Sequence, residues 1–342
     1  MITEIDDKID FSNYEEFLKN ENSTFYHSSR YLHFLKEILH AKISFVISKE
    51  KKELKGILPF FVKESVHGKV VNSLPFFGSY GGIISKSRDA QKQILERFND
   101  FNEEAEVLSS VIISNPFASS DIYDKFYKFN AKEERLVQCA DINKTPDTLW
   151  ESLEQRVRRA IRKSQKKCIN VKSINLVEQD RMNFYQMHKI DMESKGGRPK
   201  PLEFFKELQK NFVREYDYDV LAAYNGIDPI AYLLVFYFHP FTEYYMPAYR
   251  SDSKHLQGTS LLIWESMKIS MEKRMKYYNF GGTGKTQCEL YMFKKGWNAT
   301  DYTYNYYIYS DMTRIKGIGV DEIKKHYQNF YVSSYDEIAK TI

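Results

Sequence analysis

The residues with the clearest chemical potential lie in one stretch, 277–297, which reads YYNFGGTGKTQCELYMFKKGW. Two glycines, Gly281 and Gly282, follow a short aromatic run, and Lys294 lies in the next aromatic segment. Because glycine permits backbone angles and close approaches that other residues resist, a ligand or a second backbone is expected to pass here. The stretch therefore predicts the end of a strand that opens onto a site.

The same stretch partly matches a phosphate-binding loop. Gly284-Lys285-Thr286 fits the last three positions of G-x-x-x-x-G-K-[ST], but the pattern also requires glycine at position 279, where the chain has Asn279. A phosphate-binding loop of this type also opens a helix, whereas the aromatic residues at 291–293 favour extended structure. The sequence therefore argues against an NTPase.

Nucleophiles, acid–base pairs and metal ligands show no recognisable pattern elsewhere. The cysteines and histidines considered as ligands lack ligand spacing: Cys139, Cys168, Cys288, His188, His239 and His255. No acidic pair stands beside a serine or cysteine in a hydrolase motif. Asp191 and Glu193 point to different faces of their helix, although either could still serve as a base. The sequence predicts no metal site, and its odd, scattered cysteines indicate a reducing compartment.

Length and charge limit the classes of protein. The 342 residues suit about two domains. The 50 basic and 46 acidic residues leave a net charge of +4, so an anionic partner must be bound by a local patch. The start has no signal-peptide pattern, and the longest apolar run, Ile230 to Phe238, is too short to span a bilayer. The sequence predicts a cytoplasmic protein without a transmembrane segment.

The first half of the chain alternates helical and strand patterns. The expected elements are a helix at Thr24–Leu39 with Lys36 off its apolar face, a hairpin of Ile43–Ser48 and Ile57–Val62, a strand Lys69–Leu74 running into an aromatic–glycine junction at Pro75–Gly82, a helix Ala90–Phe101 and a strand Val107–Ser114.

The second half repeats this plan. The expected elements are a helix starting at Thr145, a helix Arg181–Glu193, a loop Ser194–Pro201, a helix through Phe204 and Leu208, a hairpin of Asp219–Tyr224 and Ile230–Phe238 around Asn225-Gly226, a strand Thr242–Arg250, a helix Leu261–Met275, strands Tyr277–Phe280 and Thr300–Ile308, and a helical tail. Two similar hairpins, each preceded by helices and followed by a strand, indicate a structural duplication. We predict domains at 1–144 and 145–342.

A basic patch lies on the helix that starts at Thr145. It comprises Arg158, Arg159, Arg162, Lys163, Lys166 and Lys167. The patch is either a solvated helix face or a binding surface. As a surface it suits the diphosphate of a nucleotide- or lipid-linked sugar, the 3′ end of a tRNA, or peripheral contact with an anionic membrane.

The order of elements resembles the GNAT acyltransferase fold, and tandem copies resemble the FemAB-like family, which transfers acyl or aminoacyl groups to amines of cell-envelope precursors. The motifs that carry the resemblance are Phe25-Tyr26-His27-Ser28 leading to Lys36, Gly56-Ile57-Leu58-Pro59, Leu74-Pro75-Phe76, Tyr80-Gly81-Gly82, the Arg158–Lys167 run, Gly197-Arg198-Pro199, and Phe280-Gly281-Gly282 followed by Tyr291, Phe293-Lys294 and Trp297. The resemblance implies an α/β (α+β) fold of two tandem GNAT-like domains. Each would be a mixed, largely antiparallel sheet flanked by helices, and the second would carry the transfer site.

The resemblance also implies a function in cell-envelope or peptidoglycan biogenesis. The chain would be an N-acyltransferase that moves an acyl or aminoacyl group to an amine of a saccharide or peptidyl precursor. The donor would be acyl-CoA or aminoacyl-tRNA, and no metal is implied. The alternative is a non-catalytic protein that binds nucleic acid or an anionic glycan through the basic helix at 156–167.

The residues implied in this site fall into three groups. The transfer site would be formed by Phe293, Lys294 and either Tyr245 or Tyr249; the acceptor would be bound by Lys36, Tyr80, Arg158, Arg162, Arg198 and Tyr291; the donor would be bound by Gln257, Gly258, Thr259, Ser260, Gly281 and Gly282. Lys294 would stabilise developing negative charge or hold a phosphate, with a tyrosine as hydrogen-bond donor. Without the resemblance, Lys294 suits a solvated edge-strand lysine, and 80–82 suits a tight turn.

Overall fold

The computed structural model describes residues 1–19, 21–76, 79–284 and 286–334. The chain forms two compact units: unit 1 comprises Met1–Arg135 and Thr303–Ile342, and unit 2 comprises Leu136–Tyr302. The predicted domain division at 144/145 stays a prediction. No helix among the described residues is long and apolar enough to cross a membrane.

The predicted helices and strands occur in the predicted order. The helices are α1 (Phe11–Lys19), α2 (Ser29–Leu39), α3 (Arg88–Glu104), α4 (Asp121–Phe126), α5 (Pro146–Ser152), α6 (Gln155–Lys166), α7 (Glu178–Ser194), α8 (Leu202–Asn211), α9 (Gly258–Glu272), α10 (Cys288–Lys295), α11 (Met312–Ile318) and α12 (Val320–His326). The strands are β1 (Ile2–Asp6), β2 (Lys42–Glu50), β3 (Glu53–Ser65), β4 (Gly68–Asn72), β5 (Ile84–Ser85), β6 (Ser109–Ile113), β7 (Ala131–Asp141), β8 (Asn170–Ser173), β9 (Tyr218–Asn225), β10 (Asp228–Phe238), β11 (Phe241–Tyr249), β12 (Tyr277–Thr283) and β13 (Ala299–Ser310). The structure thus adds β1, α1, β5, α4, β7, β8 and α10, which the sequence did not predict.

Unit 1 is a mixed sheet in which neighbouring strands run in the order β1, β2, β3, β4, β6, and the end of β13 pairs with β6. All of these pairs are antiparallel except β4 and β6, which are parallel. The core includes Phe60 on β3 together with Ile94 and Phe98 on α3. The apolar face of α3 therefore covers this sheet.

Unit 2 is built to the same plan. Its strands run in the order β8, β9, β10, β11, β12, and β12 also pairs with the end of β7. The one parallel pair in this order is β11 with β12. The turn between β9 and β10 contains Gly226 at φ 64°, a conformation that glycine tolerates. Helices α6 and α9 bury Ile161, Leu262 and Met267 in the core of the unit.

The predicted duplication and fold class are confirmed. In unit 1 the order β2, β3, β4, α3, β6 gives three antiparallel strands, a helix and a parallel fourth strand. In unit 2 the order β9, β10, β11, α9, β12 repeats it. Both sheets are mixed and largely antiparallel.

Two predicted helices differ from the observed ones. The helix starting at Thr145 is interrupted, because Leu153 has extended backbone angles, φ −70° and ψ 143°. The helix predicted from Thr24 begins at Ser29, after a 3₁₀ turn at Phe25–His27. Ser28 sets this start, since its Oγ accepts a hydrogen bond from the amide of Tyr31.

Candidate active site

The centre of the candidate site is a gap in the sheet of unit 2. Strands β11 and β12 pair in parallel from Phe241/Tyr277 to Glu243/Asn279, and their described residues do not pair beyond that point. On its other side, β12 shifts register against β7 between Asn279 and Gly282. Gly281 lies in this irregularity with φ +72°, a backbone conformation that favours glycine. The predicted strand is therefore present, and it ends at this gap.

Lys294 is bound to the end of β12 on this gap. Its Nζ lies 2.9 Å from the carbonyl oxygen of Gly281, 2.7 Å from that of Gly282 and 2.9 Å from Oγ1 of Thr283. An ammonium has three N–H donors, and these three acceptors engage all of them. Only 2 % of Lys294 is exposed, and burial lowers the pKa of its ammonium to about 7. Lys294 is not the solvated edge-strand lysine that its residue type alone suggested.

The segment that carries Lys294 is a helix, and the expectation of extended structure at 291–293 is wrong. The amide of Tyr291 bonds to the carbonyl of Gln287 (2.9 Å), as in an α-turn. Before the helix, Oε1 of Gln287 accepts a hydrogen bond from the amide of Gly284 (2.8 Å), which links Gly284 to the start of the helix. Phe293 packs against the core of unit 2, and this packing overrides the strand preference of aromatic residues. The helix directs Lys294 back onto β12.

Two buried polar residues at the start of the gap were not predicted. The side-chain amide of Asn279 donates to Oε2 of Glu243 (2.9 Å), and its Oδ1 accepts the amide of Gly281 (2.9 Å). Glu243 is 1 % exposed, and Asn279 is completely buried. Asn279 thus joins the last paired residue of β11 to the irregular backbone of β12. The sequence signal was the polar residue in an aromatic strand, which we used only to reject a phosphate-binding loop.

The structure separates the two candidate tyrosines on β11. Tyr245 stacks on Phe204 (5.8 Å between centroids) and packs edge-on against Phe236 (4.9 Å). Tyr249 packs instead against the core cluster on the other face, with the Lys195 ammonium 5.1 Å from its ring centre. A β-bulge in β11, between the residues that pair with Leu234 and Val235, changes the alternation of side chains between the two faces of the sheet from Tyr245 to Tyr249.

The loop between α7 and α8 carries a second buried lysine that the sequence did not indicate. Lys200 is 8 % exposed, and its ammonium lies 5.0 Å from the ring centre of Tyr245. Burial lowers the pKa of Lys200 to about 7. Its backbone amide donates to Nε2 of His188. Burial, together with the nearby charges of Lys200 and Lys195, lowers the pKa of His188 to about 4. Arg198, the predicted acceptor ligand of this loop, is exposed.

The predicted donor loop forms the start of α9. Gln257 is left-handed, with φ 61° and ψ 29°, and the helix begins at Gly258. A side chain at Gly258 would approach Ile230 to 3.1 Å, so a small residue lets the helix start close to the sheet. The first-turn amides of Gly258, Thr259 and Ser260 are the positive end of the helix dipole, where phosphates bind well.

The corresponding gap in unit 1 is filled. Past the last parallel pair of β4 and β6, the amide of Ser73 donates a hydrogen bond to the carbonyl of Val111 (2.9 Å). The amide of Gly81 donates one to the carbonyl of Ile113 (3.0 Å). Tyr80 is completely buried, with its ring 4.8 Å from that of Tyr26. Residues 80–82 are therefore packed inside unit 1. Lys36, the other predicted acceptor ligand in this unit, is exposed on α2.

The basic patch lies on α6 and its C-cap residue Lys167; Arg158 is partly exposed and the other five side chains are exposed. Within the described ranges, the six basic side chains at 158, 159, 162, 163, 166 and 167 have no acidic partner at salt-bridge distance. Arg162 stacks over the ring of Trp150, 5.3 Å from its centre. Next to the patch, the guanidinium of Arg156 donates to the carbonyl of Met292, which ties α6 to α10.

Direct contacts therefore bring together three of the predicted residues, Lys294, Gly281 and Gly282. Tyr291 points elsewhere, since its hydroxyl donates to Asp301 (2.8 Å). The roles predicted for the other residues stay predictions.

A family model for the acetyltransferase (GNAT) domain matches residues 152–295, which lie inside unit 2. The sequence of unit 2 is therefore similar to a GNAT domain. The gap, Lys294 and the start of α9 all lie within the matched segment. No curated protein sequence matches the chain.

Solved structures extend the likeness to the whole fold. The chain is similar to FemX (TM-score 0.72, 13% identity, covering 89% of this chain and 97% of that one). It is also similar to L-PGS from Bacillus licheniformis (TM-score 0.57, 11% identity, 90% and 95%). A third similar structure is a tandem GNAT protein from the clavulanic acid biosynthesis pathway, solved without AcCoA (TM-score 0.54, 7% identity, 89% and 98%). The resemblance to the FemAB-like and GNAT fold is confirmed.

Proposed function

We propose that the protein is an N-acyltransferase that moves an acyl or aminoacyl group from acyl-CoA or aminoacyl-tRNA to an amine of a cell-envelope saccharide or peptidyl precursor. The observation that carries this proposal is the gap between β11 and β12 in a GNAT domain, with the buried ammonium of Lys294 at its edge. The likeness to FemX and L-PGS supports an acceptor in the cell envelope.

The gap and α9 suit the donor. In a gap, strand edges leave backbone amides and carbonyls unpaired, and an extended amide-containing arm can bind such an edge as an added strand does. The first-turn amides of α9 suit the phosphates of the same donor. In unit 1, the amides of Ser73 and Gly81 bond to β6 past its last parallel pair with β4, so we assign the donor to unit 2.

Transfer requires a neutral amine that attacks the acyl carbonyl, a tetrahedral oxyanion, and departure of the thiolate or ribose hydroxyl with a proton. The new C–N bond replaces the C–S or C–O bond, and the proton lost by the amine goes to the leaving group. Lys294 stabilises the oxyanion by its charge, and its three bonds to Gly281, Gly282 and Thr283 hold the backbone at the edge of the gap. Tyr245 or Tyr249 supplies the hydrogen-bond donor.

The test is a transfer assay with acetyl-CoA, longer acyl-CoAs and charged tRNAs against amino-sugar nucleotides and peptidyl-sugar precursors. We expect turnover with one donor class, and a fall in kcat of about 10²–10³-fold in Lys294→Met. Lys295→Met is the matched control, because Lys295 is partly exposed and its ammonium lies 3.5 Å from Asp301 and 6.0 Å from the ring centre of Tyr291, away from β12. Absence of transfer across the panel contradicts the function, whereas unchanged kcat in Lys294→Met contradicts only the role of that lysine.

The basic patch on α6 favours a second candidate, a protein that binds nucleic acid or an anionic glycan without catalysis. This function predicts tight binding that weakens steeply with salt. Neutralising Arg159, Arg162 and Lys163 would then abolish binding, and Lys294→Met would leave it unchanged. If the triple variant instead loses transfer from charged tRNA alone, the patch belongs to the donor site of the enzyme.

A further inference from the structure

Three side chains of unit 1 lie close together in space although they come from distant parts of the sequence. His67 lies in the turn between β3 and β4, and Glu322 and His326 lie one turn apart on α12. One ligand atom from each of the three lies within 4.8 Å of the others. Oε2 of Glu322 is 3.0 Å from Nε2 of His326 and 3.7 Å from Nε2 of His67. The two imidazole rings are 5.0 Å apart and nearly perpendicular.

The polar atoms of this cluster are only partly used by protein partners. The two carboxylate oxygens of Glu322 have different neighbours: Oε1 is 3.0 Å from the ammonium of Lys325, and Oε2 faces the two histidines. Nε2 of His67 is buried and has no hydrogen-bond partner among the described residues. A buried polar atom without a partner is unfavourable, so an electron-pair acceptor at this place would satisfy it.

The two elements that carry the ligands are held together independently of them. The hydroxyl of Ser65 donates to that of Tyr327 (2.7 Å), which in turn donates to the carbonyl of Gly68 (2.9 Å). Arg314 donates to the carbonyl of His67 (3.2 Å). The first two bonds fasten the β3–β4 turn to Tyr327 at the end of α12, and the third fastens it to α11. The ligand set is therefore held in place before any ion binds.

We propose that His67, Glu322 and His326 bind a divalent transition metal of the Zn²⁺ class through two imidazole nitrogens and one carboxylate oxygen. Zinc bonds of 2.0–2.1 Å in a tetrahedron place ligand atoms about 3.4 Å apart, and the observed 3.0 and 3.7 Å lie on either side of that spacing. Imidazole and carboxylate suit Zn²⁺ better than Mg²⁺ or Ca²⁺, which prefer oxygen ligands alone.

The side chains of His67, Glu322 and His326 are 26 %, 43 % and 28 % exposed, so water has access to the fourth coordination position of the ion. The ion would add a cross-link between the β3–β4 turn and α12. The sequence predicted no metal site because histidines at 67 and 326 show no spacing that suggests a common ligand set. This proposal is independent of the acyltransferase proposal.

The test is a titration of the chelator-treated chain with Zn²⁺ alone, followed by calorimetry, and with Co²⁺ alone, followed by visible absorption. We expect one equivalent of Zn²⁺, a tetrahedral Co²⁺ spectrum, and a higher melting temperature with Zn²⁺. His67→Gln and His326→Gln should each weaken binding by at least about 10-fold, the effect expected even for an outer-shell change.

His33→Gln is the matched control, because His33 is an exposed histidine on α2 and should bind as the wild type does. Lack of stoichiometric binding by the wild-type chain would overturn the proposal. Equal affinity in the wild type and both ligand variants would also overturn it, since the ion would then bind elsewhere. The wild-type Co²⁺ spectrum keeps the test decisive if a variant folds poorly.

Discussion

Lys294 shows how a residue's surroundings can change the role that its type suggests. The sequence offered two interpretations, a solvated lysine or a catalytic cation. The structure gives a buried ammonium whose three donors are engaged by neutral oxygens of β12. Residue type and family resemblance led to the position, but they could not reveal these partners, because the partners depend on a helix that the sequence did not predict.

The two buried lysines should leave a pH signature in stability. Burial holds the pKa of Lys200 near 7, below the 10.5 of an unfolded lysine, so between these values the unfolded chain binds more protons. The contribution of Lys200 to stability should therefore rise as pH increases from 7 to 9, by up to about 1.4 kcal/mol per pH unit. Comparing urea unfolding of wild type and Lys200→Met across this range measures it.

The exposed Lys206 on α8 supplies the control for that experiment. Lys206→Met should run parallel to the wild type between pH 7 and 9, and Lys200→Met should diverge from it. A difference between Lys200→Met and wild type that does not change with pH would mean that the ammonium keeps its ordinary pKa.

Asn279 gives a second prediction at the residue scale. Asn279→Ala removes the bonds to Glu243 and to the amide of Gly281 in a buried place, which should lower the free energy of unfolding by about 1–3 kcal/mol. Asn143→Ala, at an exposed asparagine, should change it by less than about 0.5 kcal/mol. Denaturant melts of the two variants decide the matter, and equal stability would show that Asn279 does not organise the gap.

At the scale of elements, patterns of long helices and hairpins were predictable, and short elements were not. The hairpin around Gly226 and the helix at α9 follow from turn chemistry and apolar spacing. The short helix α10 contradicted the aromatic pattern, because its packing against unit 2 and the turn at Gln287 outweigh the intrinsic preference of its residues. The gap itself could not be read from any single strand.

The irregular end of β12 depends on the backbone of Gly281. No atom lies within 4 Å of a Cβ built at this glycine, so the cost of Gly281→Ala comes from its φ of +72° alone, about 1–2 kcal/mol. Gly317→Ala is the counterpart, since Gly317 has open space around it within helix α11. Thermal unfolding should show a loss for the first and a gain of up to about 1 kcal/mol for the second.

The start of α9 predicts opposite signs for stability and binding. Thr259→Glu places a negative charge in the first turn, which should stabilise the helix by about 0.3–1 kcal/mol. The same charge would repel the phosphates of the donor and raise its KM by roughly 10-fold, by the tenfold per 1.4 kcal/mol relation. Thr259→Val should change neither. If the KM for the donor does not rise in Thr259→Glu while stability increases, the donor does not bind at this helix.

At the scale of the molecule, the duplication was predictable and the path of the chain was not. Both hairpin units appear as patterns, but unit 1 also contains residues 303–342, which follow the whole of unit 2. No composition change marks that return. The pairing of Tyr306 with Ile113 is a long-range contact, and local patterns do not report such contacts.

This arrangement predicts how fragments behave. Residues 136–302 expressed alone should unfold cooperatively, because they contain all of unit 2. Residues 1–144 alone should aggregate, since β6 loses the strand partner that β13 supplies. Denaturant melts and size-exclusion chromatography of both fragments test this prediction. A monomeric, cooperatively folding 1–144 fragment would support the division predicted at 144/145.

The continuity of unit 2 within an interrupted unit 1 also sets an order of events during synthesis on the ribosome. The strands from β1 to β6 are made first, yet β6 must wait for residues 306–310 before its edge is covered. Unit 2 is complete as soon as residue 302 has emerged. The half of the molecule that is translated first is thus the last to finish folding, and its strand edge at β6 stays open to mispairing until then.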